Sequence, residues 1–507
     1  MSHDSIQLHP MKPHLAAFTL LFLLLTAAPS IAQQTQLPAQ SVPPPIAQRS
    51  PTLATEVPMI HSGDRWAVLG DSITHNGLYH RYIQLFYLTR FPGQSLELVN
   101  CGISGDSASG ALKRLQWDCL DAKPTVVTVM FGMNDVGRSL YELGSVPTNA
   151  AILREEKAVA YDRSMREITK SLVNSGARVI LIKPSPFDDT ADLPRTNCPG
   201  LGEALTGFGR RVEAIAGENH LPTVDFSTPL ATINREQQAL DPHFTIIGPD
   251  RVHPGPPGHL VMAHQFLRTL KLSGVVSLIC IDAPSGKAGP LENCEVSGLT
   301  CGTNGVSFTC LEKALPFPVD EPAKKGLEYV PFMQELNREM LTIHGLQPGD
   351  YRLSIDGQPI RSYSAAELAG GVNLAGEATT SQYRQSLRVL DALRRNWEAA
   401  VKLRTIALCE YSAWPDAAHP VDASQMPAKL DAWTNKVSKN TFLLDRAKQY
   451  PDLKAHEEDF KTQVRTALEE AVVASRPEPH RFEITRLAST SAPATTGLAS
   501  PTPNPRP

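Results

Sequence analysis

The sequence has little of what marks a nucleic-acid-binding, membrane-spanning or disulfide-dense protein. Its 48 basic and 52 acidic residues leave a formal charge of −4, so the composition predicts no attraction to nucleic acid or to an anionic membrane. Eight cysteines are few for 507 residues. No long apolar or amphipathic segment follows the N-terminal leader, so neither a stable membrane span nor an interfacial lipase helix is indicated. The 42% hydrophobic and 20% charged fractions are typical of a soluble globular protein.

The N-terminal leader, residues 1–32, is similar to a secretory signal peptide. Lys12 gives it a lightly basic start, an apolar run covers 15–28, and small residues occupy the two positions that determine cleavage after Ala32. An uncleaved anchor is the alternative, but the run is short for a hydrocarbon core of ~30 Å. We therefore expect an exported protein, either periplasmic or extracellular.

Residues 59–274 alternate short apolar runs with stretches of helical periodicity. Strand followed by helix, repeated, predicts a parallel sheet with helices on both faces. The predicted strands are 66–69, 96–99, 126–131, 179–182 and 223–226, and the predicted helices are 78–90, 107–120, 151–174 and 203–219.

The sequence changes character at residue 275, and a chain of this length is expected to form two or three folding units. Alternating apolar residues between two turn pairs predict a β-hairpin or small sandwich near 345–357. Helical periodicity without glycine predicts two long helices, 382–409 and 429–474, packed as a hairpin on the body. The predicted organisation is a signal peptide at 1–32, a flexible linker at 33–58, an α/β domain at 59–274, a β-rich accessory segment at 275–362, a helical region at 363–488 and a disordered tail at 489–507.

Half of the cysteines cluster in the accessory segment. They show no Cys-x-x-Cys spacing and no histidine lies among them, so we expect disulfides rather than a metal site, with the connectivity left open. The four are Cys280, Cys294, Cys301 and Cys310.

Ser72 lies at the junction of a predicted strand and a predicted helix, in the motif Gly70-Asp71-Ser72-Ile73-Thr74. The amides of a helix N-terminus would favour negative charge that develops beside its hydroxyl. An ordinary helix N-cap is the alternative interpretation.

Two further motifs end the next two predicted strands. Gly102 and Gly105 lie three residues apart, so the backbone can turn there and present amide donors at the carboxyl edge of the sheet. Asn134 follows the third strand, and its side-chain amide is a donor of the kind an oxyanion hole uses. A plain β-to-α turn and an Asx turn are the alternatives.

A candidate catalytic base lies near the end of the α/β domain. In Asp250-Arg251-Val252-His253 the spacing lets the carboxylate bond one ring nitrogen of the histidine while the other faces the nucleophile. Two other histidines are weaker candidates, because His243 has the wrong spacing from its aspartate and His75 is too close in sequence to Ser72.

These four segments, in this order, resemble the sequence blocks of the SGNH or GDSL hydrolase family, over residues 65–270. The resemblance implies a flavodoxin-like three-layer α/β/α parallel sheet, with 59–274 as the catalytic domain. It also implies roles for the matched residues. Ser72 would be the nucleophile, His253 and Asp250 the other triad members, and Ser72, Gly105 and Asn134 the oxyanion donors.

The implied chemistry is ester hydrolysis through an acyl-enzyme, and it requires no metal or organic cofactor. The expected substrate is a small ester or an acylated carbohydrate. A carbohydrate acetyl ester is favoured because no interfacial apolar segment is found. A lipid or short-chain ester is the first alternative. A non-catalytic carbohydrate-binding protein on the same fold is the second, since fold alone does not guarantee chemistry.

Overall fold

The structure, a computed structural model, describes residues 60–61 and 63–488. The predicted leader, linker and tail therefore lie outside the described residues. All described residues fall in one compact unit. Among them, no helix is both long enough and apolar enough to cross a membrane.

A five-stranded parallel sheet forms the centre of the first half of the chain, in the order β2-β1-β3-β4-β5. Nearly every residue of β1, β3 and β4 is buried, as expected for strands covered on both faces. The strands are β1 Arg65–Gly70, β2 Glu97–Gly102, β3 Val126–Met130, β4 Arg178–Lys183 and β5 Thr223–Asp225.

Helices cover both faces of this sheet and create two cores. Because successive strand residues point to opposite faces, Trp66 and Val68 pack in one core, whereas Ala67 and Leu69 pack in the other. The predicted three-layer α/β/α fold is therefore confirmed. The helices are α1 Ser72–His75, α2 Tyr79–Arg90, α3 Ala108–Asp118, α4 Ala150–Asn174, α5 Leu201–Glu218, α6 Ser227–Gln238 and α7 Pro256–Thr269.

Two smaller sheets follow, in the orders β13-β10-β6-β7 and β12-β11-β14-β9-β8. The expected hairpin is present as the antiparallel pair β11 and β12. The strand β14 pairs between β11 and β9, although our sequence analysis placed its residues in the helical region. The elements are β6 Val275–Asp282, β7 Lys287–Glu292, β8 Cys294–Gly302, β9 Gly305–Glu312, α8 Phe332–Glu335, β10 Arg338–His344, β11 Asp350–Ile355, β12 Gln358–Ser364, α9 Ala365–Gly370, β13 Val372–Asn373 and β14 Pro479–Arg486.

The helical region begins with the 33-residue helix α10, Ser381–Ala413, which was predicted as 382–409. The single predicted helix 429–474 is instead three helices: α11 Met426–Lys436, α12 Thr441–Ala455 and α13 Glu457–Ala474. One break falls at Asn440, whose side chain accepts a hydrogen bond from the Leu443 amide at 3.2 Å and so starts α12 as an N-cap.

The four clustered cysteines do not form the predicted disulfides, and all eight cysteines are free thiols in the structure. Cys294 on β8 lies opposite Glu312, and Cys310 on β9 lies opposite Val296, so these two cysteines are diagonal neighbours across the ladder. Their side chains share a hydrogen bond.

Candidate active site

Ser72 is the first residue of α1 and is separated from the end of β1 by Asp71 alone. The Oδ1 of Asp71 accepts a hydrogen bond from the Ile73 amide at 2.9 Å, so Asp71 rather than Ser72 is the N-cap. Gly70 leaves room for this turn, since a Cβ there would lie 2.9 Å from the Met130 carbonyl oxygen. The Ser72 hydroxyl is therefore free of the capping role.

The structure brings Ser72, His253 and Asp250 together as a hydrogen-bonded series. The Oγ of Ser72 lies 2.8 Å from Nε2 of His253, and Nδ1 of His253 lies 2.5 Å from Oδ2 of Asp250. An ionised carboxylate can only accept, so the neutral imidazole carries its proton on Nδ1. Its Nε2 is then free to accept the proton of the Ser72 hydroxyl.

Asp250 is held as a carboxylate. Partial burial raises its pKa, but hydrogen bonds from the ring and backbone of His253 and from the backbone of Val252 outweigh burial and hold the pKa below its usual range. The backbone bonds measure 2.9 Å from His253 and 3.0 Å from Val252, both to Oδ1. The carboxylate can therefore stabilise an imidazolium on His253.

Arg251, between the two residues of this pair, anchors their loop. It is buried, and its backbone has a positive φ of 69°, a strained conformation for a bulky residue. Its guanidinium donates to four carbonyl oxygens of the loop after β4. Sequence reasoning assigned Arg251 no role, although an arginine between two predicted triad members was the available signal. The four acceptors are Asp188, Ala191, Leu193 and Arg195.

The predicted oxyanion donors lie at the carboxyl ends of adjacent strands, with Ser72 after β1, Gly105 after β2 and Asn134 after β3. Gly105 has a φ of 82°, which favours glycine. The Nδ2 of Asn134 donates to the Asp106 carbonyl oxygen at 2.8 Å. That amide nitrogen carries two hydrogens, so one hydrogen remains for a substrate oxygen.

His75 is a second histidine that supports the site. Its Nδ1 accepts from the Ser104 amide at 3.1 Å, so it holds the loop that carries Gly105. Burial and the nearby Arg404 lower the pKa of His75 to about 3, which keeps the ring neutral and able to accept. Sequence reasoning considered His75 only as a base and missed this contact.

The alternative histidine, His243, is engaged elsewhere. It is exposed, and its Nδ1 lies 2.6 Å from the carbonyl oxygen of Asp192. His259 stacks on Tyr79, with ring centroids 6.0 Å apart. Of His75, His243 and His259, only His259 lines the cavity beside Ser72.

That cavity has a volume of about 290 Å³, at the lower end of small-molecule sites. Ser72 and His253 stand at it, and most of the remaining wall is apolar. Ile73 and His259 are buried and so are part of the packed body. The wall consists of Ile73, Asn76, Leu78, Pro254, Pro256 and His259.

Two carboxyl groups next to the predicted site residues are buried. Burial raises the pKa of Asp71 to about 6 and that of Asp135 to about 7. The Oδ1 of Asp135 accepts from the Ala108 amide at 2.8 Å, while its Oδ2 has no partner. Neither carboxyl group contacts Ser72 through a hydrogen bond that the structure shows.

Comparison with known proteins identifies the family. The family model described as GDSL-like lipase/acylhydrolase matches residues 68–261. An acetylxylan esterase from Geobacillus stearothermophilus is 30% identical over 233 residues, which are 43% of this chain and 99% of that protein. A gut microbial diltiazem-metabolizing enzyme of known structure is also 30% identical, with a TM-score of 0.79, over 86% of this chain and all of that one. The chain therefore belongs to the GDSL-like lipase/acylhydrolase, or SGNH, family and is an esterase of that family.

Proposed function

We propose that this esterase works through an acyl-enzyme on Ser72 and removes short acyl groups, acetyl above all, from a carbohydrate. In the first step Ser72 Oγ bonds to the ester carbonyl carbon while its proton passes to His253 Nε2. The carbon–oxygen bond to the alcohol then breaks, and the alcohol leaves with that proton. Water then attacks the acyl carbon while His253 Nε2 accepts its proton. The bond to Ser72 Oγ breaks as Oγ regains that proton, which releases the acid and restores Ser72.

The charge that develops on the carbonyl oxygen in this mechanism is held by the amides of Ser72 and Gly105 and by the side chain of Asn134. Support comes from the position of these three groups on neighbouring strand ends. The carboxylate of Asp250 stabilises the positive charge that His253 gains. The chain's own residues thus supply each step.

The proposal of a short acyl group depends on the cavity beside Ser72. A volume of about 290 Å³, with a wall formed largely by Ile73, Leu78 and two prolines, accommodates acetyl and favours a short acyl chain over a long fatty chain. His253 and Asn134 are exposed. The alcohol part of a large substrate can therefore remain in solvent while its acyl group is bound.

A carbohydrate is the proposed alcohol because the acetylxylan esterase matches over almost its full length. Export through residues 1–32 would place the enzyme where polysaccharides occur, and this part of the proposal rests on the sequence alone. A small drug-like ester is a second candidate. It is favoured by the similarity to the diltiazem-metabolizing enzyme, which extends through the β-rich and helical regions as well.

The test is a substrate panel with purified protein. Aryl esters of increasing acyl length, acetylated xylooligosaccharides and diltiazem are compared by kcat/KM, with Ser72→Ala as the control. We expect the acetate to exceed the octanoate by at least about tenfold and the oligosaccharide to exceed diltiazem. An octanoate turned over as well as the acetate would contradict the short-acyl proposal.

The Ser72→Ala control tests the nucleophile itself. Loss of a positioned nucleophile should lower the rate by several orders of magnitude, and fluorophosphonate should label the wild type but not this variant. If a folded Ser72→Ala protein kept more than about a tenth of the wild-type rate, the acyl-enzyme proposal would be wrong.

A further inference from the structure

Four charged side chains form a buried network that joins the catalytic domain to the helical region. Arg114 on α3 donates through Nε to Asp106 Oδ2 at 2.7 Å and also pairs with Asp118. Arg404 on α10 binds both oxygens of Asp118, at 2.6 and 3.0 Å. At most 6% of any of these side chains is exposed. Two arginines and two aspartates balance their formal charges, as a buried network requires.

One end of this network reaches the oxyanion donors. Asp106 directly follows Gly105, and its carbonyl oxygen accepts the hydrogen bond from Asn134 at 2.8 Å. Arg114 further donates to the carbonyl oxygens of Cys101, at 2.8 Å, and Gly70, at 3.3 Å. The network therefore holds the carboxyl ends of β1 and β2. It also holds Asp106, which connects the two proposed donors Gly105 and Asn134.

A second connection runs to the nucleophile. The Nη1 of Arg404 donates to the carbonyl oxygen of Asn100 at 2.9 Å. The side-chain amide of Asn100 donates in turn to the carbonyl oxygen of His75 at 3.0 Å. His75 is the last residue of α1, the short helix that begins at Ser72. Arg404 is thus two hydrogen bonds from the helix that carries the nucleophile.

We propose that Arg404 is a positioning residue for acyl transfer, so that α10 completes an active site whose reacting groups all lie in the catalytic domain. The residue lies outside residues 68–261, which match the family. Tyr411 on the same helix supports this network, since its hydroxyl donates to Asp106 Oδ1 at 3.4 Å. This proposal rests on the roles proposed for Ser72, Gly105 and Asn134.

The charges of the network explain why loss of Arg404 would disturb its other members. Burial raises the pKa of Asp118, but Arg404 and Arg114 outweigh burial and hold that pKa below its usual range. Without Arg404, Asp118 would depend on Arg114 alone and would compete with Asp106 for it. Because an unpaired buried charge is costly, the network would rearrange. A displacement of about 1 Å at a catalytic group can lower the rate ~100-fold.

The test compares Arg404→Ala with Arg395→Ala. Arg395 also lies on α10, but its partner Glu470 is exposed, as is Arg395 itself. Active sites are first titrated with a fluorophosphonate, so that kcat is counted per reactive Ser72 and misfolded protein is excluded. We expect Arg404→Ala to lower kcat for an aryl acetate by about tenfold or more, with KM within about twofold. Arg395→Ala should match the wild type in both.

Two further variants complete the design. Arg404→Lys keeps the charge but not the two-pronged geometry, so its kcat should fall between those of the wild type and Arg404→Ala. Should Arg404→Ala fail to fold, Tyr411→Phe decides, with a several-fold loss of kcat expected. A folded Arg404→Ala with wild-type kcat, or an unchanged Tyr411→Phe when Arg404→Ala does not fold, would overturn the proposal. An active Ser72→Ala would instead refute the proposed function.

Discussion

The indole Nε1 of Trp397 on α10 donates a hydrogen bond to Oε1 of Gln84 on α2 at 2.7 Å, and both side chains are buried. Val389 and Leu393 of α10 belong to the same core as Ile83 of α2. The helical region and the catalytic domain thus share one core. Because they share this core, we do not expect the catalytic domain to fold independently of the helical region.

A chain that ends at residue 274 should therefore not fold stably. Removing α10 would expose the apolar face of α2, which costs about 25 cal/mol of stability for each Å² of apolar surface uncovered. It would also leave Oε1 of Gln84 without the hydrogen bond from Trp397. Circular dichroism and thermal unfolding of residues 33–274 check this. The matched control ends at residue 488 and keeps every described element. A cooperative melt and esterase activity in the shorter chain would contradict the shared core.

Local patterns were sufficient to predict the central sheet and to select Ser72, His253 and Asp250, which the structure brings together, because strand and helix periodicity and the four motifs are each contained in a few neighbouring residues. Contacts between distant parts of the chain were not predictable in this way. The strand β14 was missed because its pairing partners β9 and β11 lie far away in sequence. The bond from Arg404 to Asp118 spans 286 residues, and no spacing rule indicates such a pair.

Substitution of the side-chain oxyanion donor should affect kcat more than KM. We expect Asn134→Ala to lower kcat about 100-fold or more for an aryl acetate, because the hydrogen bond strengthens mainly as charge develops in the transition state. Steady-state kinetics at saturating substrate measure it. Asn76→Ala is the control, since Asn76 also lines the cavity but is not a proposed donor. Equal kcat for Asn134→Ala and the wild type would remove Asn134 from the mechanism.

The triad residues should behave as one unit. His253→Ala should be about as damaging as Ser72→Ala, and the double variant little worse than either, because both remove the same proton transfer. Asp250→Asn should be impaired too, since an amide cannot stabilise the imidazolium as the carboxylate does. Single-turnover rates of the four variants check this. His243→Ala is the control, and an inactive His243→Ala beside an active His253→Ala would mean that the wrong pair was chosen.

Asp135 has a buried carboxyl group with one oxygen unpartnered. Burial raises its pKa from 3.8 to about 7, so the folded state binds a proton that the unfolded state releases at lower pH. The contribution of Asp135 to the free energy of unfolding is therefore fully present below about pH 4 and is lost as the pH rises towards 7.

Asp135→Asn should remove that loss, because the amide stays neutral while its oxygen still accepts from Ala108. Relative to the variant, the free energy of unfolding of the wild type should fall between pH 4 and pH 7 and then level off. Urea unfolding at several pH values, wild type minus variant, measures this difference and cancels the other titrating groups. As a matched control, Asp121→Asn makes the same substitution at a carboxyl group in an exposed contact with Gln116. A difference between wild type and Asp135→Asn that stays constant with pH would show that Asp135 does not take up a proton on folding.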